Sequence, residues 1–270
     1  MKAHYSEYVL NILKNYSRGQ DRTGKIVFLK HYSAFEVSRD EIEKVVNETG
    51  VECIFLFHAF KRNQMQEPYE PVMGWIRKLC EGMSDEEVKV MLDEAGVYRL
   101  HIPIFQSYIK DGICRREEQL IACDAEYEKE RFLESLLSIM SYLSAGKLVI
   151  AVFHRLHYAQ LSTIQLITRL LNMKNKNISL VCGYNDMYIQ EQYMQKQWGE
   201  MIRIAEKENY IVECGVEDNV QHTSVTKNIV IDVDDIDEYL LHIKNLIISV
   251  AWSEAEYYME MVYNKIINEQ

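Results

Sequence analysis

Residues 147–171, KLVIAVFHRLHYAQLSTIQLITRLL, constrain the fold more than any other stretch. The run 148–153 is unbroken and apolar, too short for a typical helix and without the alternation of a half-solvated strand. Such a run is a strand buried on both faces, the kind found where helices cover a parallel sheet. A turn at 154–160 leads into apolar residues at helical spacing over 161–172, and a second buried-type run follows at 178–182. Parallel strands need a crossover, so strand, helix and strand here make a βαβ unit.

The same alternation occurs upstream. KIVFLK at 25–30 reads as a strand, 31–38 as a loop, DEIEKVVNE as a helix stopped by Gly50, and VECIFLF at 51–57 as a second buried strand. A leading helix is expected over 3–16, and a proline-started one over 67–82. Ser84, followed by Glu87 three residues on, opens a further helix to Ala95 through a capping box. A long helix over 115–145 closes at Gly146. Beyond it the pattern predicts a helix over 187–209, strands near 210–214 and 228–233, and helices over 235–248 and 252–268. The polar stretch 215–226 is the expected flexible loop. The fold class expected is α/β, three layers with a mainly parallel sheet, plus C-terminal helices. We place the main domain at 1–249 and a helical appendage at 250–270.

Composition sets the outer bounds. A chain of 270 residues exceeds the roughly 100 to 200 of a typical domain, so it buries a sizeable core. A hydrophobic fraction of 48% with 26% charged residues is that of a globular protein. The net charge of −11 opposes nucleic-acid binding, and the densest basic clusters, Lys61-Arg62 and Arg115-Arg116, are short. No apolar run reaches the about 20 residues that span a bilayer, and the first ten residues are too polar for a signal peptide. The expected compartment is the cytoplasm, with no membrane and no nucleic-acid partner. Six cysteines stand singly without a C-x-x-C pair, which argues against a zinc ribbon, and cytosolic residence argues against disulfides.

Gly19 to Lys25 matches the phosphate-cradling pattern G-x-x-x-x-G-K, but the pattern works only between a strand and the helix it opens, and here that order is reversed. The loop in the correct context is His31-Tyr32-Ser33-Ala34-Phe35-Glu36-Val37-Ser38-Arg39. At this loop the chain resembles the STAND group of signal-transduction P-loop ATPases, and the resemblance runs over residues 26–248. Glu67-Pro68-Tyr69-Glu70-Pro71, Glu130-Arg131-Phe132-Leu133 and Leu156-His157-Tyr158-Ala159 are similar to successive stretches of that family, in the same order. The last follows the position of the paired Walker B aspartates, held here by His154 and Arg155. Leu180 to Asn185 resembles the next strand, with Asn185 at a sensor-like position where arginine is usual.

The resemblance implies a nucleotide fold, yet the chemistry departs from it. Ser38 matches the magnesium-binding hydroxyl, but Val37 stands for the lysine and Glu36 for the last glycine. A P-loop lysine neutralises phosphate, and a Walker B acid holds Mg²⁺. A carboxylate about 4 Å from a phosphate charge costs about 4 kcal/mol at an effective dielectric of 20. Histidine and arginine do not replace a carboxylate on a hard cation. The resemblance thus implies a vestigial nucleotide site at Ser33, Ala34, Phe35, Glu36, Val37, Ser38 and Arg39, with His154 and Arg155 at the Walker B positions and Asn185 at the sensor-like one. No catalytic residue, no metal and no cofactor are expected.

The function expected is a non-catalytic regulatory or scaffolding module acting through protein contacts. The alternative is a nucleotide-binding ATPase or switch with a non-standard P-loop, in which ATP and Mg²⁺ return and Arg155 or Lys61 supplies charge. His154 and His157 lack the helical spacing and the third ligand of a zinc site. The acidic run 232–238 lacks the central glycine of a calcium loop, and acids at a helix start explain it. The aromatic and methionine content, 18 Tyr and 12 Met, supplies adaptable contact residues. The resemblance implies a helical repeat array beginning near the C-terminal helix, so a protein partner is expected, including self-association through that helix.

Overall fold

The computed structural model describes residues 3–18, 24–32, 36–62, 66–115, 125–144, 146–172, 177–188, 190–214 and 236–268. The glycine-bounded loop at 19–23, the start of the long helix at 116–124, the stretch 215–226, the expected strand at 228–233 and the acidic residues 232–235 lie outside the described residues. Among the described residues the strands are β1 (Ile26–His31), β2 (Cys53–Ala59), β3 (Leu148–His154), β4 (Ile178–Asn185) and β5 (Ile211–Cys214). The helices, in chain order, are α1 (Ala3–Ser17), α2 (Arg39–Glu48), α3 (Val72–Leu79), α4 (Asp85–Glu94), α5 (Ile102–Asp111), α6 (Ala125–Ser144), α7 (Leu161–Asn172), α8 (Gln192–Lys207), α9 (Ile236–Ile248) and α10 (Trp252–Asn268).

The chain divides into two compact units. The first takes Met1–Gln64, Ser144–Ala159 and Ile167–Lys227 and contains the sheet; the second takes Met65–Leu143, Gln160–Leu166 and Asn228–Gln270. The architecture is three-layer α/β of the P-loop-like kind, with an all-parallel five-stranded sheet in the order β2-β3-β4-β1-β5 and helices at the C-terminal end. Phe55 lies opposite Ile150, Ala151 opposite Leu180, Leu29 opposite Gly183 and Phe28 opposite Ile211.

Strand order dictates the layers. Only the β1-to-β2 connection runs toward the β2 edge; the later ones run the other way. Right-handed crossovers therefore put α2 on one face and α8 on the opposite face. On the first face, Tyr5, Val9 and Leu13 of α1 and Ile42 and Val46 of α2 pack over Val27, Leu29, Ile150, Val152 and Val181. The other face carries Phe28 and Tyr184, and Trp198 of α8 meets the Tyr184 ring edge-on at 5.7 Å. Every residue of β3 is buried, as a centrally placed strand of Val, Ile and Leu requires.

In the second unit α4 shows the full capping box: Ser84 Oγ accepts from the Glu87 N–H at 3.3 Å, and Glu87 Oε2 accepts from the Ser84 N–H at 2.7 Å. The helix expected from residue 67 begins at Val72. Tyr69 has a φ of 55°, outside the helical region, so residues 68–71 form turns. α9 and α10 pack on each other through Tyr239, Ile243 and Leu246 against Ala255, Tyr258 and Val262. No helix among the described residues is long and apolar enough to cross a membrane.

The fully buried centre of β3 predicts its own sensitivity. Ile150→Ala removes three buried carbons and leaves a cavity, so the midpoint of a urea transition followed by circular dichroism falls, with a loss of about 2–5 kcal/mol.

Candidate functional site

In an open parallel sheet, ligands lie outside the carboxyl ends of the strands, where neighbouring connections leave on opposite faces. Here β1 sends its chain to α2 and its neighbour β4 sends its chain to α8 on the other face. The C-terminal ends of β1, β3 and β4 bring His31, Asn185, His154 and Arg155 to that end of the sheet: His31 lies opposite Asn185, and His154 follows the Phe153–Cys182 pair.

Of the loop at 31–39, Ser33, Ala34 and Phe35 lie outside the described residues. Val37, in place of the lysine, is half-buried against the α1–α2 core that contains Ile42. Val37 precedes the N-cap Ser38 and Ile42 lies at the fourth helical position, which is the spacing of a hydrophobic staple. Val37 thus helps to fix the entry of α2. Ser38 is the N-cap in extended conformation, but its hydroxyl makes no capping hydrogen bond. Arg39 pairs along its own helix with Glu43 at 3.2 Å.

Glu36 and Arg155 form an ion pair with each other, joining the loop after β1 to the turn after β3. Arg155 has a φ of 58° and a ψ of 44° and caps the 3-10 turn Leu156–Tyr158 from the left-handed region. Glu36 is mostly exposed at 77% and Arg155 less so at 29%. A charge pair between them is worth at most about 1 kcal/mol at such exposure. Its chemical effect is larger than its stability effect, because the guanidinium is answered by a carboxylate.

His154 is buried beside α1, with the Tyr5 hydroxyl 3.4 Å from its Nδ1. The Tyr5 ring stands edge-on to His154 at 5.9 Å and is stacked with His31 at 6.3 Å. Burial, with the His31 charge adding to it, lowers the His154 pKa to about 4. His157 Nδ1 accepts from the Asn185 N–H at 3.0 Å, and burial takes its pKa down to about 3. Both rings are neutral near pH 7. The Asn185 side chain closes a local turn, its Oδ1 accepting from the Met187 N–H at 2.8 Å. The nearby lysine Lys30 is held by Asp186 at 2.9 Å and lies 5.2 Å from the Tyr32 ring centre.

The residues described here do not fit a magnesium nucleotide. The candidate end offers two neutral imidazoles, an engaged guanidinium and a carboxylate in the loop, where the chemistry needs a free cation in the loop and an acid at the strand end. No group of three or more histidines, cysteines, aspartates or glutamates able to hold a metal ion occurs among the described residues.

Sequence reasoning missed Tyr5, which meets a histidine 149 positions away. It also missed Glu254 in the second unit, which is fully buried and accepts from the Ser162 N–H at 2.6 Å at the start of α7. Burial raises the Glu254 carboxyl to about 7, against the opposing effects of Ser162 and Lys129. Nearby, Gln160 Nε2 donates to the Tyr258 hydroxyl at 2.6 Å. The same unit carries a surface hollow of about 480 Å³ lined by residues of α3, α4 and α5, among them Arg77, Asp85 and Lys110. Only Glu254's place in the first turn of a helix was visible beforehand. Compared with known proteins, the chain matches no family model and no curated protein.

The buried neutral His154 gives a pH dependence of definite sign. Its pKa is about 4 in the fold and ordinary when unfolded, so below about 6.5 the unfolded chain binds the extra proton and stability is lost as pH falls toward 4. Glu254 acts in the opposite sense, its raised pKa favouring the fold as pH falls from 7 toward 4.5. The comparison is therefore wild type against His154→Gln by urea melts at each pH. Wild type loses ground to the variant on acidification, by on the order of 2–3 kcal/mol near pH 4. A constant difference between pH 7 and 4 contradicts the assignment.

Proposed function

We propose that the chain is a non-catalytic regulatory or scaffolding module derived from a STAND-type signal-transduction ATPase, acting in the cytoplasm through protein contacts. The observation that carries the reading is the Glu36–Arg155 pair. It joins the two positions that in such an ATPase face phosphate and magnesium, and it leaves neither available. Val37 supports it, because its side chain belongs to the core and offers no donor. His154 supports it too: a neutral imidazole packed on Tyr5 holds no hard cation. The five-strand order and the parallel register agree with an architecture kept while its chemistry was lost. A net charge of −11 and the absence of a long apolar helix among the described residues agree with a protein partner in preference to nucleic acid or membrane.

A second reading, nucleotide binding through a non-standard loop, draws on one observation: the Ser38 hydroxyl is not used in capping α2 and stands at the start of that helix. Ser38→Ala separates the two. Under our reading it changes neither ligand response nor activity.

Thermal denaturation in millimolar Mg·ATP checks the proposal. Binding stabilises by RT ln(1 + [L]/Kd), so ligand at about 100 times Kd adds about 2.7 kcal/mol. The expected outcome is no saturable shift and no phosphate release, with Glu36→Gly/Val37→Lys gaining a shift that wild type lacks. Saturable binding with hydrolysis by the wild-type chain would sink the proposal.

A further inference from the structure

The C-terminal helix pair buries one seam and leaves a second apolar surface beside it. α9 and α10 meet through Ile243, Leu246, Ala255 and Tyr258, and the His242 and Tyr239 rings reach Tyr258 at 4.9 and 5.9 Å. Away from that seam, Leu240 and Ile247 on α9 and Met259, Tyr263 and Ile266 on α10 are exposed, Tyr263 at 64%. A helix turns about 100° per residue. That rotation puts Leu240, Lys244 and Ile247 on one flank of the α9 seam, and Met259, Tyr263 and Ile266 on the adjoining flank of α10. Scattered apolar residues on a surface need no account, but a contiguous patch of them marks a contact.

We infer that this face pairs with the same face of a second copy of the chain, forming an antiparallel four-helix bundle. The charges bordering the patch select that occupant. Lys244 is exposed in the middle of the α9 flank, and Glu256 and Glu260 are exposed along α10. A two-fold axis parallel to the helices lays α9 of one copy over α10 of the other and keeps every residue at its own height. Because Tyr258 stands level with Tyr239 to Ile243, the partner's Lys244 arrives level with Glu256 and a little over one turn from Glu260. The patch is thus complementary to itself in charge as well as in apolar character, as a two-fold interface requires. Helices in such bundles cross at about 20°, which brings flanks of this kind into register over their length.

This names a partner for the contact role proposed above and rests on that reading for its biological use; the association itself needs no nucleotide and is measured without it. Sedimentation of the full chain from about 1 to about 100 µM is expected to show a monomer–dimer equilibrium. Lys244→Glu sets three acids together and raises the dimer Kd at least about tenfold. Glu256→Lys with Glu260→Lys does the same alone, and combining all three changes restores Kd to within about threefold of wild type. Met259→Asp gives a monomer with an unchanged circular dichroism spectrum. A chain that stays monomeric across the range overturns the inference and points the face to a different protein. A dimer that Met259→Asp leaves intact, or whose charge reversals fail to restore one another, overturns it as well.

Discussion

β3 is paired on both edges and buried along its whole length, from Leu148 to His154. The rest of the first unit is arranged around that condition. A strand in such a place has no water at its end, so whatever residue closes it must be tolerated in a dry setting. An acid there needs a bound cation or a proton of its own, because an unpaired buried carboxylate costs several kcal/mol. An imidazole needs only to lose its proton, which His154 does. The strand is therefore closed by a neutral side chain that calls for no counter-ion.

The elements around the strand end fit that neutral side chain. Tyr5 of α1 reaches His154 and stacks with His31, so rings pack together at that end of the sheet. Val37 is drawn into the same core from the start of α2. Arg155, turned into the left-handed region to begin a 3-10 turn, meets Glu36 across the loop. His157 fixes the following turn by accepting from the Asn185 N–H, with the Tyr158 and Tyr188 rings packed edge-on at 5.1 Å. Each substitution is compatible with the others. Changing one alone leaves its neighbour without a partner: a lysine at 37 would leave the staple, and an aspartate at 155 would face Glu36.

How far these contacts were legible depends on their range along the chain. The buried strands were readable because five or six consecutive apolar residues admit few alternatives, and the Ser84 capping box was readable because its two residues lie three apart. Ser38 and Glu41 show the same spacing without the side-chain bond, so the pattern names a helix start and not its geometry. The start of α3 was misplaced because Pro68 and Pro71 look like helix starters, whereas Tyr69 at a positive φ breaks the turn between them. Tyr5 with His154 and Ser162 with Glu254 were out of reach, separated by 149 and 92 positions. No local rule couples residues that far apart, and each looks ordinary in its own segment.

Glu254 also explains why the C-terminal helices carry an exposed face. Its carboxyl accepts from the first turn of α7, which fastens the start of α10 within the second unit. The next face of α10 is spent on α9 through Ala255, Tyr258 and Val262. A helix has room for about three faces, and on α10 two are committed. The third carries Met259, Tyr263 and Ile266 with a border of acids, a composition that costs solubility if left in water and that adds nothing to either internal contact. Internal packing explains the first two faces completely and the third not at all. The third face is the one we infer to pair with a second copy of the chain, Lys244 on the neighbouring helix supplying the opposite charge.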